Sequence, residues 1–340
     1  MMYKDKTPTG RQPGRVSNTS RFAADTHNIS TNDVIDAFRK AMLEHLGCVP
    51  GVIEADGEAH RFSTNGKKGD LSGRYILHLD GGIPAGYFEC HRQGITRTWR
   101  AGRDLVPALS AEERLAIHEQ TELNKARKQR AETKKQAETA DQAVNIWRFA
   151  RSAPFDYPYL ITKGIKPNNA KLYNTALIIP MYDVFGRLWN LQRIFSDGSK
   201  RFLSGGRKRG LFTVLGGVKL AASTRALVVE GWATGCTVSA LEPGVPVIVA
   251  FDAGNLASVV EAILGKYPNL QLVIVADDDR ATAKKTGHNT GLEKALAVAA
   301  QYQAVTVVVP DFPINAPIEL SDINDLVVWR NQHRGTTDGD

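Results

Sequence analysis

The sequence predicts an α/β protein: a parallel sheet with flanking helices, preceded by a basic α+β subdomain and a small N-terminal β-rich module. Two observations carry that prediction. Three short apolar, β-branched runs, residues 226–229, 247–251 and 272–276, alternate with helix-like stretches, the pattern of right-handed βαβ units. The first run ends on Glu230 and the third on Asp277, Asp278 and Asp279. Parallel sheets bind ligands beyond the carboxyl ends of their strands, so Glu230, Asp277 and Asp279 are expected along one edge. Three carboxylates there repel one another unless a cation neutralises them. Magnesium suits the place, because it takes one or two carboxylates together with substrate phosphates.

The composition agrees with an ordinary globular protein. The 340 residues leave room for two or three domains, and 42% hydrophobic with 23% charged residues are typical of that class. A formal charge of +7 favours a polyanionic partner. Cys48, Cys90 and Cys236 form no Cys-x-x-Cys pair, which supports neither a disulfide framework nor a complete zinc site. The absence of a long apolar run or a signal-peptide core leads to the expectation of a soluble, cytoplasmic protein without a membrane partner.

In chain order, residues 1–29 are polar and aperiodic and are expected to form a disordered basic tail. Residues 30–109 form the expected N-terminal module. Ser30 to Asp33 offer helix caps before Val34, Ile35, Phe38, Met42 and Leu46 at helical spacing. Strands at 75–79, 87–90 and 95–99 follow, with Asp80, Gly81 and Gly82 as a turn. The aromatic residues of this module, interleaved with Arg and Lys, could stack on single-stranded nucleic acid or form the module's own core. Residues 110–142 are charged and poor in large apolar side chains, and read as a solvated connector helix.

The basic subdomain is expected at 143–219, with a short helix near Ala143, Ile146 and Trp147 and strands at 176–181 and 188–193. Residues 187–209 carry seven cations against one anion, Asp197. Such a run is a solvated face or a phosphate-binding one; Gly205, Gly206 and Gly210 would let backbone approach phosphate closely. The parallel sheet is expected over 220–310, its last helix at 292–300 and last strand at 304–309. A C-terminal segment, 311–340, carries an Asp-x-Asn-Asp motif at Asp322 to Asp325.

The stretches LVVEGWATGCTVSAL, VIVAFDAGNL and LVIVADDDR resemble the Toprim fold, shared by bacterial-type primases, topoisomerases and some nucleases. The resemblance implies that Glu230, Asp277 and Asp279 are catalytic and metal-binding. YPYLITKGI, residues 157–165, resembles a segment near the start of primase cores. IIPMYDVFGRLWNLQRIFSDGSKRFLSGG resembles the template and nucleotide groove beside the Toprim carboxylates. It implies a binding role for Arg193 and Lys200, with Arg201, Arg207, Lys208 and Arg209 in the same basic run. LSDINDLV resembles a segment that follows Toprim in plasmid and phage primases, so Asp322 and Asp325 order the site or add metal ligands, Asp322 being equally a helix cap. The N-terminal module resembles that of conjugative-plasmid and phage primases and stands where other primases carry a zinc ribbon. The ribbon's cysteines are missing here, and no zinc is expected.

Taken together, the resemblance implies a DNA primase of conjugative-plasmid, phage or mobile-element type. Such an enzyme makes RNA primers on single-stranded DNA from nucleoside triphosphates, using Mg²⁺ or Mn²⁺. No P-loop motif is present, so a separate replicative helicase is the expected partner. A fold does not choose a reaction. A Toprim nuclease and a non-catalytic accessory protein binding single-stranded DNA stay open as alternatives.

Overall fold

The computed structural model describes residues 30–67, 69–79, 83–102 and 111–333. The tail expected at 1–29, the turn at Asp80, Gly81 and Gly82, the first residue of the expected connector, Ser110, and the last residues of the C-terminal segment lie outside the described residues. The chain divides into two compact units between Arg127 and Lys128.

The first unit holds helix α1 (Thr31–Leu46) and a four-stranded antiparallel sheet of β1 (His60–Phe62), β2 (Gly73–His78), β3 (Ala85–Cys90) and β4 (Ile95–Arg100), in that order. The Ser30 side chain accepts the Asn32 N–H, and Gly47 closes α1 in the left-handed region, as helix caps do. Val34, Phe38, Met42 and Leu46 fall on one face, and all are buried. Tyr75, Leu77, Phe88 and Cys90 alternate inward to meet them, with Phe38 and Phe88 edge-to-face at 5.7 Å. Of the two readings of these aromatics, Phe62, Tyr75 and Phe88 therefore belong to the core.

Helix α2 (Ala111–Phe149) corrects the connector boundary, because it runs through residue 142 without a break. The short helix expected near Ala143 is its last part. No Gly or Pro interrupts it, and Thr139, Ala140 and Ala143 become buried where it reaches the second unit's sheet.

That second unit contains two five-stranded sheets. One is antiparallel, ordered β5 (Arg151–Ser152), β6 (Lys171–Tyr173), β7 (Ala176–Tyr182), β8 (Leu188–Ile194) and β9 (Lys200–Phe202), with α3 (Pro158–Lys163) between β5 and β6 in sequence. The other has the order β10-β12-β11-β13-β14, from β10 (Thr213–Leu215), β11 (Arg225–Val229), β12 (Val247–Val249), β13 (Gln271–Val275) and β14 (Val305–Val308). Strands β11 to β14 are parallel, while β10 is an antiparallel edge strand. The sheet thus begins before residue 220: β10 is too short to stand alone and pairs with β12.

Helices α4 (Trp232–Leu241), α5 (Leu256–Lys266), α6 (Arg280–Thr286), α7 (Thr290–Ala299) and α8 (Ile323–His333) complete the unit. The chain leaves central β11 for β12 on one side, then returns to β13 on the other. That reversal puts a crevice at the carboxyl ends of β11 and β13. Gly235 lets α4 lie close to the sheet, since a Cβ there would sit 2.6 Å from Val249. Leu177, Ile179, Met181 and Ile194 of the antiparallel sheet share one core with Leu227, Val229, Val247 and Val249 of the parallel sheet. The two sheets are held as one body by that shared burial.

Candidate active site

Glu230 follows β11 directly, and Asp277 and Asp279 follow β13, all half-buried at the same end of the sheet. Burial pushes the Glu230 pKa up, and Asp252 and Asp279 add to the rise; the Ala253 N–H and Lys294 oppose it. Asp277 is pushed further, up to about 8, by burial and then by Glu230, Asp322, Asp279 and Asp325. Its Oδ1 is buried without a hydrogen-bond partner among the described residues. Asp278 has a different task. Its N–H donates to Ser321 O at 2.7 Å and its carboxylate accepts the Asn289 amide at 2.7 Å, fixing the loop. Gly291 lets the start of α7 approach the Asp277 backbone, 3.3 Å from where a Cβ would stand.

The Asp-x-Asn-Asp segment enters the site from α8. Asp322 Oδ1 accepts the Asp325 N–H at 2.8 Å, the cap expected of it, while Oδ2 accepts from Thr234 at 3.1 Å. Asp325 pairs with Lys163 of α3 at 3.0 Å. Between them, fully buried Asn324 donates to Lys163 O and to Thr237 Oγ1, both at 2.8 Å, tying α8 to α3 and α4.

The basic residues do not act as one face. In the β8–β9 pair Ile194 is opposite Lys200, and Arg193 is opposite Arg201. Directly opposed residues share a face, so Lys200 lies with Ile194 on the side of the parallel sheet, whereas Arg193 and Arg201 lie on the side of α2. There Arg193 lines a cleft of about 690 Å³ with Glu138, Asp141 and Asn145 of α2. Lys200 is exposed as a residue, yet its amine is partly desolvated. That desolvation, then Lys163, lowers its pKa, against the pull of Asp322, Asp277 and Glu230. The single groove expected for Arg193 and Lys200 is thus split by strand alternation: only Lys200 faces the carboxylates.

Lys208, Arg209 and the following Gly210 dock on the segment that leads from β12 into α5. Lys208 Nζ lies 2.8 Å from Asp252 Oδ2, Arg209 donates to Ser258 Oγ at 3.0 Å, and Gly210 N–H donates to Asn255 Oδ1 at 2.7 Å. Arg207 stays beside Trp189, 5.2 Å from its ring centre.

Several site residues were not singled out from the sequence. Asp252 ends the middle apolar run, so the strand-end rule that found Glu230 and Asp277 applied to it equally. Lys163 and Tyr159 lie within YPYLITKGI; the Tyr159 hydroxyl is buried without a partner among the described residues, and burial, then Asp322, raises its pKa. Lys294 had no signal beyond its helix.

The donor set suits a hard divalent cation: carboxylate oxygens, one of them buried and unpartnered, crowded enough to repel. Among the described residues, the trio whose ligand atoms all lie within 4.8 Å of one another is instead Glu54, Asp56 and His60 of the first unit. The wider spread at Glu230, Asp277 and Asp279 suits an ion that keeps waters and substrate phosphates among its ligands.

Residues 225–332 match the Toprim domain family. The chain carries a Toprim domain. Outside that domain as well as within it, the chain is similar to two proteins from Escherichia coli, each named DNA primase TraC. The first is 39% identical over 297 residues, covering 84% of this chain and 27% of the relative; the second is 35% identical over 278 residues, covering 80% and 18%. The chain therefore spans about a quarter or less of the length of these relatives. Among solved structures it is similar to the DnaG primase catalytic domain bound to single-stranded DNA (13% identity, TM-score 0.39, 59% of this chain and 77% of that one). It is also similar to the primase fragment of the bacteriophage T7 primase-helicase protein (15% identity, TM-score 0.36, 54% and 76%).

Proposed function

We propose that this chain is the priming part of a DNA primase of the plasmid type, making short RNA primers on single-stranded DNA. The observation that carries the reading is the register that turns Lys200, together with Ile194, to the side of the parallel sheet, where Glu230 and Asp277 follow their strands. A nuclease needs the carboxylates, but a polymerase also needs a cation aimed at the triphosphate that they face. The similarity to DNA primase TraC, which extends beyond the Toprim domain, supports the same choice.

Glu230, Asp277 and Asp279 would hold Mg²⁺ or Mn²⁺, which supplies Lewis-acid activation of a primer 3′-hydroxyl and neutralises charge on the incoming triphosphate. Lys200 binds that triphosphate from the β9 side. Lys163 holds Asp325 and keeps the α8 end, with Asp322, against the site. Asp278 and Asn289 set the loop that presents Asp277 and Asp279. Arg193 and Arg201, on the other face of the antiparallel sheet, and Arg207 to Arg209 contact phosphates of the template.

Zinc has no part in the proposal: Cys90 lies inside the aromatic core, and elemental analysis of the purified protein tests the point. A separate replicative helicase would open the duplex. Among the described residues no helix is long and apolar enough to cross a membrane; the nucleotide and DNA substrates put the proposed reaction in the cytoplasm. The deciding experiment incubates the protein with circular single-stranded DNA, labelled ribonucleotides and Mg²⁺ or Mn²⁺. Labelled oligomers are expected. DNA cleavage without incorporation would mean a nuclease, and a mobility shift alone an accessory protein.

A further inference from the structure

Trp189 is the residue of β8 left without a partner where β7 and β8 shift register, between Met181 and Tyr182. Its indole N–H donates to Asp183 Oδ2 at 2.7 Å. The other Asp183 oxygen accepts the Phe185 and Arg187 N–H groups at 2.9 and 3.0 Å, so this carboxylate is committed to the hairpin turn. Two guanidinium groups lie over the fixed indole, Arg187 at 4.1 Å and Arg207 at 5.2 Å from the ring centre. Among the described residues no carboxylate lies within ion-pair distance of either. Arg207 is further restrained by its Nε–H, which donates to Arg209 O at 3.0 Å, and by its own carbonyl, which accepts from Asn190 at 2.8 Å.

We propose that Arg187 and Arg207, set by Trp189, form a clamp for two phosphates of a single nucleic-acid strand beside the carboxylate site. A guanidinium stacked on a ring keeps its fork of donors free at the edge, and the fork matches a phosphate. Stacking limits its rotamers before the ligand arrives, so less freedom is lost on binding. The neighbour of Arg207 gives the direction of the strand. Lys208 reaches Asp252, which follows β12 at the same end of the sheet where Glu230 follows the neighbouring parallel strand β11, so adjacent residues link the clamp to the site. Placing the strand there rests on the proposed function; the clamp itself does not require chemistry.

The test is binding of a fluorescent oligothymidylate over a range of salt, with neither nucleotide nor divalent metal present. Each lost phosphate contact on a single strand removes about 0.7 from the slope of log affinity against log salt. R187A/R207A should flatten the slope by about 1.4. R187K/R207K should keep the slope but lose affinity, because a lysine keeps the charge and not the fork. W189L should weaken binding with both arginines present, and W189F should restore most of it. An unchanged slope in a folded R187A/R207A protein overturns the clamp, as does wild-type affinity in W189L. Because nothing in this assay depends on nucleotide incorporation, a protein that binds in this way but makes no primer would sink the primase reading alone.

Discussion

Lys208 and Asp252 form an ion pair at 2.8 Å that joins the basic run to the end of β12. Both side chains are partly exposed, so the pair contributes at most about 1 kcal/mol to stability. Its weight lies elsewhere: Asp252 competes with phosphate for Lys208 and crowds Glu230.

Asp252→Asn should therefore strengthen binding of single-stranded DNA by about two- to fivefold at low salt, by releasing one cation to the ligand. The gain should vanish at high salt. Fluorescence anisotropy reads both, and an unchanged low-salt affinity would remove Lys208 from the binding face.

Asp277 makes the metal-free protein sensitive to pH. Its pKa is up to about 8 in the folded chain and about 3.9 in an unfolded one. Between those values the folded chain keeps a proton that the unfolded chain has released, so stability falls as pH rises. The Tm of metal-free protein should drop from pH 5 to pH 8, and Asp277→Asn should flatten that drop. Mg²⁺ at pH 8 should recover much of it. The same slope in the variant would assign the titration to another group.

Asn324→Ala should cost about 1–3 kcal/mol, because Lys163 O and Thr237 Oγ1 each lose a buried partner. Denaturant unfolding measures this. Asp322 is two residues away at the head of α8, so primer synthesis should fall further than stability alone explains. A variant as stable and active as the parent would make α8 independent of this contact.

The split of the basic residues over two faces predicts two phenotypes. Lys200→Ala should raise the KM for nucleotide about tenfold or more and leave DNA affinity near that of the parent. R193A/R201A should do the reverse. Steady-state kinetics and anisotropy separate them, and identical phenotypes would restore a single groove.

The carboxylates were legible in the sequence because an apolar run ending on Glu or Asp already states both a strand and its chemistry. Val34, Phe38, Met42 and Leu46 were legible for the same local reason, helical spacing. What escaped depends on partners far along the chain. The faces of Arg193 and Lys200 follow from a register between β8 and β9 that no single strand encodes. Strand β10 exists because β12 offers it an edge, and α2 continues to Phe149 because the antiparallel sheet receives its last turns. Asn324 looked like one polar residue in a polar motif, and only tertiary packing buries it.

The central claim is that Glu230, Asp277 and Asp279 serve nucleotide incorporation. The most direct measurement follows labelled ribonucleotide into oligomers on single-stranded DNA with Mg²⁺ or Mn²⁺, for the parent and for Asp277→Asn and Asp279→Asn. Thermal unfolding is recorded in parallel. The account predicts template-dependent oligomers from the parent and a loss of at least about a hundredfold in folded variants, the scale of removing a group that stabilises the transition state. Parent-like incorporation in either folded variant, or none by the parent with either metal, would contradict it.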